Sequence, residues 1–551
     1  MIIGLDVGGT HTDVVLLSKK GLLKQIKVPT VSADLFHTVL KGLEAVTDGV
    51  ETGAIRRVVL STTLATNLVA QQDLPAVGMV VTAGPGIDPI HFRTNPHYHV
   101  VRGAIDHRGR EIEPLDEAQI RTIGEAFKRE KIDCAGIVSK FCTRNPAHEE
   151  AVARLLAPYV EHIFMGHQFS GVLNFPRRIA TTYLNAALYP VHKSFYEAVK
   201  QSLIQMGLNV PLQILKPDGG SMNVASTVHY PAQTILSGPS ASVMGALPSA
   251  SCEGASLVLD IGGTTTDMAL LVDGVPLLDP LGIAIGPYKS LIRALHTCSL
   301  GIGGDSVVGI REGQLTIGPK RMGPAMAFGG PAPTPTDAFC VLGHISEGDV
   351  QRATAGLTPI AQALGIPVEK SAQQIVETAC RQIMAGAQAM IDSINAKPVY
   401  TVHELWEGSS IQPNELLVLG GPAPQFADQL KPLFDGNVRV VPHWEVANAI
   451  GCALARTTCE VSLFADTDQG VATAPGENFN QPISSHFELD DAVEIALELL
   501  HQKVQRSGGN TANMETEVLE AAAFNMIRGF TTIGKNIRVR VQVKPGLIRM
   551  D

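Results

Sequence analysis

"LDVGGTHTDVVLL", from Leu5 to Leu17, returns as "LDIGGTTTDMALL" from Leu259 to Leu271, with nine of thirteen positions identical. Each copy is an apolar run that reaches an aspartate, breaks at two glycines and resumes as a second apolar run, the pattern of strand, tight turn, strand. "MIIGLDV" and "TDVVLL" are therefore expected to form a hairpin hinged at Gly8 and Gly9. A Gly-Gly pair lets a ligand approach the backbone with no Cβ in the way, and its amides can cradle oxyanions. Thr10, Thr12, Thr264, Thr265 and Thr266 add hydroxyls, while Asp6 and Asp260 end strands where a carboxylate can hold a hydrated Mg²⁺. The plain alternative is a hairpin turn in which Asp6 and Asp13 cap backbone amides. Two copies in matching places favour the ligand reading. A duplicated fold whose hairpins face each other across a cleft can grip the β- and γ-phosphates of a nucleotide from both sides, with one metal between two aspartates.

Outward from the repeat, strands and helices alternate as in α/β architecture. After the first hairpin come helix-compatible "ADLFHTVLKGLEAV", the strand "RRVVLST", the helix-like "TLATNLVAQ" and the strand "AVGMVVTAG". "LDEAQIRTIGEAFKREK" is amphipathic and leads to the strand "CAGIVSKF" and the helix "PAHEEAVARLLAPY". The second copy is followed by a third strand expected around "GIAIG" and a long helix "QQIVETACRQIMAGAQAMIDSINA". Strand, glycine turn and helix in "NELLVLGGPAPQFADQLKPLF" come next, then the strand "VRVVP". Past residue 460 the helix "DDAVEIALELLHQKVQ" and the strand "KNIRVRVQVKPG" suggest a small α+β appendage. The expected division is 1–172, 173–460 and 461–551.

The 551 residues, 45% apolar and 17% charged, suit a globular chain with ample buried core. A net charge of −10 argues against a nucleic-acid groove, which needs a concentrated positive field. No basic leader or run of eighteen apolar residues is found, so the expectation is a cytoplasmic protein without a membrane partner. Eight cysteines without C-x-x-C spacing signal neither a disulfide framework nor a zinc knuckle. His91, His97 and His99 in "HFRTNPHYH" read as a surface loop or substrate lip rather than a zinc set, with Arg93 a candidate for a substrate carboxylate.

Gly420 and Gly421 end a strand against a helix and can hold a base and ribose. The order of two phosphate hairpins and then an adenosine turn resembles the sugar kinase, Hsp70 and actin superfamily. The resemblance implies duplicated ribonuclease H-like (actin-like ATPase) domains with an interdomain nucleotide cleft. Six collinear stretches resemble the hydantoinase A and 5-oxoprolinase family: "STTLATNLVA", "ATTYLNAALYP", "ILSGPSASVMGA", "LGIGGDS", "PTPTDAFCVLG" and "VPHWEVANAIGCALA". Thr62, Thr63 and Asn67 follow a strand's C-terminal end, and Ser237-Gly238 opens a helix; these are candidate substrate contacts beside plainer roles as caps. Gly303, Gly304 and Asp305 suggest another nucleotide wall. The chain departs from the family at "KPDGG" (usually S-N-G-G), at Ser240 and Ser242 in place of an alanine and a glycine, and at "GIGGDS".

The family resemblance implies ATP-driven opening of a cyclic amide such as a hydantoin or 5-oxoproline, by phosphorylation of the amide oxygen. Asp6 and Asp260 would position Mg²⁺, and Asp13 and Asp267 would organise the loops. It also implies a B-type partner subunit, and a homo-oligomer is open. The rivals are an acetone carboxylase-type subunit and a chaperone-like reactivating ATPase.

Overall fold

The computed structural model describes residues 1–548 apart from positions 10, 32–33, 280, 397–409, 510 and 512–513; Thr10 thus lies outside the described residues. The chain forms two compact units. One comprises Met1–Gly238, Asp279–Ala294 and Ala453–Asp551, and the other Pro239–Leu278 and Leu295–Cys452. Compactness thus groups the C-terminal residues with the N-terminal ones. The division at 172 and 460 concerns sequence modules and stays a proposal.

In the first unit a six-stranded sheet runs in the order Ser221–Asn223, Leu212–Leu215, Arg57–Thr62, Ile2–Val7, His11–Ser18, Gly21–Pro29. Ile2–Val7 is buried at every position because it has sheet on both edges: Arg57–Thr62 lies parallel to it and His11–Ser18 antiparallel. Ile3, Leu5, Val14 and Leu16 meet Leu43 and Val46 of the helix Leu35–Thr47 and Phe195 and Val199 of the helix Phe175–Gln205. That contact is close, since a Cβ on Gly42 would press within 2.7 Å of Val14. A second sheet, His162–Met165, Cys134–Ser139, Val77–Thr82 and Tyr98–Val101, is wholly parallel, and its two central strands are continuously buried. The C-terminal segment is an antiparallel five-stranded sheet in the order Phe479–Pro482, Val471–Ala474, Glu460–Asp466, Thr531–Val543, Thr516–Arg528. The helix Leu489–Arg506 covers it, burying Ala496, Leu500 and Val504 against Val461, Val539 and Val541.

In the second unit the sheet order is Val275–Pro276, Thr266–Val272, Ala255–Ile261, Pro413–Leu419, Asn437–Val440, with Thr297–Leu300 also pairing Thr266–Val272. Again the central strand has an antiparallel hairpin partner on one edge and a parallel strand on the other. The long helix Val368–Asn395 buries Ile375, Ala379 and Ile383 in the same core as Leu257, Leu259 and Phe426.

The third strand expected around "GIAIG" forms as the two-residue Ala284–Ile285, and among the described residues it pairs with Tyr288–Lys289 in a two-stranded ribbon belonging to the first unit, not with this sheet. Its Ile283 and Ile285 are buried beside Tyr183 and Leu188, so its apolar character serves a different core. No helix among the described residues is long and apolar enough to cross a membrane.

Candidate functional site

The two glycine turns are built alike. In the first, Asp6 stands opposite Asp13 and Val7 opposite Thr12, and the Gly8 amide donates to the His11 carbonyl at 3.1 Å. In the second, Asp260 stands opposite Asp267 and Ile261 opposite Thr266, and the Gly262 amide donates to the Thr265 carbonyl at 2.9 Å. The amides of Gly8 and Gly262 therefore close the turns. Gly9 faces open space, with no atom within 4 Å of where a Cβ would stand.

The threonines divide by register. Thr12 and Thr266 are fully buried. The Thr12 hydroxyl shares a 2.9 Å hydrogen bond with that of Thr30, and the Thr266 hydroxyl donates to the Ile302 carbonyl at 2.7 Å. Both tie the hairpin to its neighbours. Asp13 lies 3.1 Å from Lys27, its cross-strand partner on Gly21–Pro29.

Asp6 is buried, and the Ser61 hydroxyl donates to its Oδ1 at 2.5 Å from the parallel strand. The segment after Ser61 gathers several expected residues at this turn. The Thr63 amide donates to the Val7 carbonyl at 3.3 Å. The Ser237 hydroxyl donates to the Thr62 carbonyl at 2.8 Å and accepts from the Thr62 amide at 3.1 Å. A Cβ on Gly238 would stand 3.1 Å from the Thr63 methyl group. Asn67 is exposed one turn along the helix Leu64–Gln71. Thr62 also lines a small apolar cleft with Leu68, Leu188, Phe195 and His192. Burial brings the His192 imidazole down to about 4, so the ring is neutral at pH 7.

In the second unit Asp260 receives two donors on Oδ2, the Ser242 hydroxyl at 2.5 Å and the Asn448 amide at 3.1 Å. Gly420, at φ +96°, lies so close that a Cβ would stand 2.5 Å from Asp260 Oδ1 and 2.3 Å from the Ile261 carbonyl oxygen. Only glycine meets both demands. The "GIGGDS" loop docks onto the turn: the Gly304 amide donates to Gly262 at 2.9 Å and the Asp305 amide to Gly263 at 2.7 Å. A Cβ on Gly303 would sit 2.5 Å from the Gly262 carbonyl oxygen. Burial pushes the Asp305 carboxyl above its ordinary range, and the Arg321 guanidinium at 2.9 Å opposes this only in part. Gly421 faces open space. Asp260, Gly262, Gly263, Gly303, Gly304, Asp305 and Gly420 thus form one cluster.

Arg93 is exposed just after the short helix Pro89–Phe92, and among the described residues no hydrogen bond or ion pair joins it to the first turn. The nearby histidines diverge, His97 to Glu130 at 2.9 Å and His99, on a strand rather than a loop, to the Phe127 ring. No group of metal-ligating side chains forms there or elsewhere among the described residues. The "KPDGG" loop is self-neutralising. Lys216 donates to Asp218 at 3.0 Å, and the Gly220 amide and Thr458 hydroxyl donate to the same carboxylate. Sequence reasoning missed Ser61 and Asn448 as partners of the aspartates. Both were visible only as members of matched stretches, Ser61 in "STTLATNLVA" and Asn448 in "VPHWEVANAIGCALA"; the register that sets Ser61 level with Asp6 appears only in the fold.

Among curated proteins the chain is 26% identical to the caprolactamase subunit alpha of Pseudomonas jessenii, over 70% of this chain and 62% of that one. It is 28% identical to the acetophenone carboxylase gamma subunit of Aromatoleum aromaticum, over 62% and 53% respectively. The chain thus spans less than two thirds of either relative. Among solved structures it resembles the ATP-dependent caprolactamase of Pseudomonas jessenii, with TM-score 0.73 at 19% identity, covering 100% of this chain and 88% of that one. It also resembles a nucleotide-free acetone carboxylase, with TM-score 0.72 at 18% identity and the same coverage. The family pattern described as Hydantoinase/oxoprolinase matches residues 178–461, and that of the Hydantoinase/oxoprolinase N-terminal region matches residues 2–160. The chain belongs to the hydantoinase/oxoprolinase family.

Proposed function

We propose that this protein is an ATP-dependent hydrolase that opens a cyclic amide, working as the A-type member of a multi-subunit enzyme. The observation that carries the proposal is the repeated turn: two aspartates at equivalent strand ends, each opposite a second aspartate in identical register, each with its carboxylate held by hydroxyl donors. The duplicated actin-like arrangement, with one triphosphate served by both turns, is part of the proposal. The caprolactamase relative supports the substrate class, and its naming as a subunit supports a partner.

An amide resists water at neutral pH because its nitrogen lone pair is delocalised into the carbonyl. Transfer of the γ-phosphoryl group to the amide oxygen breaks the bond to the ADP oxygen and makes that carbonyl oxygen a leaving group. Water then adds to the carbon, the C–N bond breaks with the nitrogen taking a proton, and hydrolysis of the resulting acyl phosphate releases the acid and phosphate. In this scheme Gly9 and Gly263 offer backbone to the phosphates, and Gly420 leaves room beside Asp260. The all-oxygen character of Asp6 and Asp260 fits Mg²⁺, which takes one or two carboxylates plus phosphate oxygens. Bound there, the ion would neutralise charge on the transferring phosphoryl group. Thr62, Thr63, Ser237 and Gly238 stand beside the first turn as candidate substrate contacts; Asn67 and Arg93 remain candidates at exposed positions.

The test is ADP release by the purified chain, with and without a B-type subunit, against lactams, hydantoins and 5-oxoproline. Ring opening and ADP should appear one to one, and Asp6→Asn or Asp260→Asn should abolish both while circular dichroism stays unchanged. Absence of lactam-dependent ADP across the panel would refute the hydrolase. The acetophenone carboxylase relative favours one second reading, phosphorylation of an enol before carboxylation. Turnover requiring a ketone and bicarbonate would establish it.

A further inference from the structure

The strand Thr516–Arg528 is the outermost of the C-terminal sheet and is exposed along nearly its whole length. Its sequence, "TEVLEAAAFNMIR", has no charge between Glu520 and Arg528, and Phe524 and Ile527 are 56% and 69% exposed. Phe530, in the turn that follows, is fully exposed. A long apolar edge with unpaired backbone groups is what soluble proteins ordinarily blunt with charges, prolines or a covering element. Here none of these devices interrupts the run.

We propose that this edge pairs antiparallel with the same strand of a second copy of the chain, about a two-fold axis through Phe524. A two-fold axis normal to a sheet places one residue directly opposite its own copy, so the centre fixes every other pair. Pairing with Thr531–Val543 is irregular at Leu519, and the other irregularity falls on the opposing strand at Ile533; the unbroken run is Glu520–Arg528. Its midpoint is Phe524.

With that centre, Glu520 faces Arg528 of the second copy, twice by symmetry. Ala521 faces Ile527, Ala522 faces Met526, and Phe524 faces Phe524. Opposite charges meet at both ends, and alanines meet larger side chains between them. Moving the centre to Ala523 sets Glu520 against Met526 and Arg528 against Val518. Moving it to Asn525 sets Arg528 against Ala522 and Glu520 against Phe530. Both bury charge against apolar groups. Inside the chain Glu520 stands across from Arg540 and Arg528 across from Thr531, and neither Glu520 nor Arg528 closes to ion-pair distance with an opposite charge among the described residues. Arg528 therefore has no acidic neighbour across the hairpin, and Glu520 of a second copy supplies one.

The experiment uses the full chain in sedimentation velocity across a concentration series. A species of twice 58.5 kDa is expected. Arg528→Glu and Glu520→Arg each set like charges opposite one another and should weaken the dimer about tenfold, while the double variant should restore it. Arg528 is exposed and faces Thr531, so Arg528→Glu should leave melting of the monomer unchanged; Glu520→Arg also meets Arg540 within the chain and is judged by dimer affinity and by its rescue in the double variant. Phe524→Cys should give a disulfide joining the two 524 positions, identified by peptide mapping, because a residue facing its own copy meets disulfide geometry. Ala522→Cys, facing Met526, should not. A monomer at every concentration, a dimer indifferent to both single charge reversals, or association at this edge only with a different subunit would each overturn the proposal.

Discussion

Substituting Asp218 by Asn restores the family's usual residue in the "KPDGG" loop, and the structure predicts that this reversion is harmful. Lys216 and Asp218 are 7% and 3% exposed and meet at 3.0 Å. The carboxylate also accepts from the Gly220 amide at 3.0 Å and from the Thr458 hydroxyl at 3.0 Å and 3.1 Å. Asparagine can keep the Gly220 and Thr458 bonds through its carbonyl oxygen, so the loss is the charge facing the Lys216 ammonium. Removing one member of a buried ion pair costs about 3–5 kcal/mol, because the remaining ion stays desolvated. Since Lys216 also donates to the Thr458 carbonyl at 2.9 Å, the lower end, about 3 kcal/mol, is expected. Replacing both charges, by Lys216→Met with Asp218→Asn, should return most of it. The assay is urea unfolding together with hydrogen exchange at the Gly220 amide. The pH dependence carries a sign. Burial raises the Asp218 carboxyl, but the Lys216 ammonium, the Arg293 guanidinium and the loop hydrogen bonds outweigh it, leaving the group below its ordinary range. A depressed carboxyl contributes its full stability above the unfolded value near 4 and loses it as pH falls through the folded value. The gap between native and variant should therefore be constant at neutral pH and close in acid. A cost under about 1 kcal/mol, or a double variant no better than the single, would refute the reasoning.

Gly420→Ala forces a side chain to φ +96° and places a Cβ 2.5 Å from Asp260 Oδ1, so calorimetry should show Mg-ATP affinity reduced about tenfold or more; unchanged affinity would remove Gly420 from the site. Ser242→Gly removes a donor from the same carboxylate, and a magnesium titration of ATP turnover should show half-saturation rising about tenfold, as for other residues that orient a metal ligand. His192 sits near 4 through burial, well below an unfolded histidine near 6.5, so the unfolded chain takes the proton first and stability falls as pH drops from about 6.5 to about 4. The loss amounts to about 3 kcal/mol across that window, and a pH series of melting temperatures should flatten in His192→Phe.

Both hairpins were legible because strand periodicity and the Gly-Gly break are local signals. The identical register of Asp6 with Asp13 and of Asp260 with Asp267 follows from nearly identical segments. The helix Phe175–Gln205 was not legible as such. From Arg178 to Tyr189 every residue is buried, so the segment shows no polar face and no 3.6-residue rhythm. Nor could sequence separate the threonines by role. Which hydroxyl points inward depends on strand register and on partners such as Thr30 and Ile302, which lie 18 and 36 residues away.

Ser242 shows most sharply what a motif comparison conceals. Read against the family pattern it is a departure, a serine where a glycine usually stands. In the first sheet the strand parallel to the hairpin places Ser61 level with Asp6, and its hydroxyl reaches the carboxylate at 2.5 Å. In the second sheet the corresponding parallel strand places Leu419 level with Asp260, and a leucine has no proton to give. The donor instead comes from Ser242, again at 2.5 Å. The repeat thus preserves the aspartate and the chemistry of its support while drawing that support from a neighbouring strand in one unit and from the helix Ser237–Ala246 in the other. An aspartate that serves only to cap a turn has no need of a matching hydroxyl from an unrelated element. The same support reached by two routes is what selection for a fixed carboxylate position would leave behind.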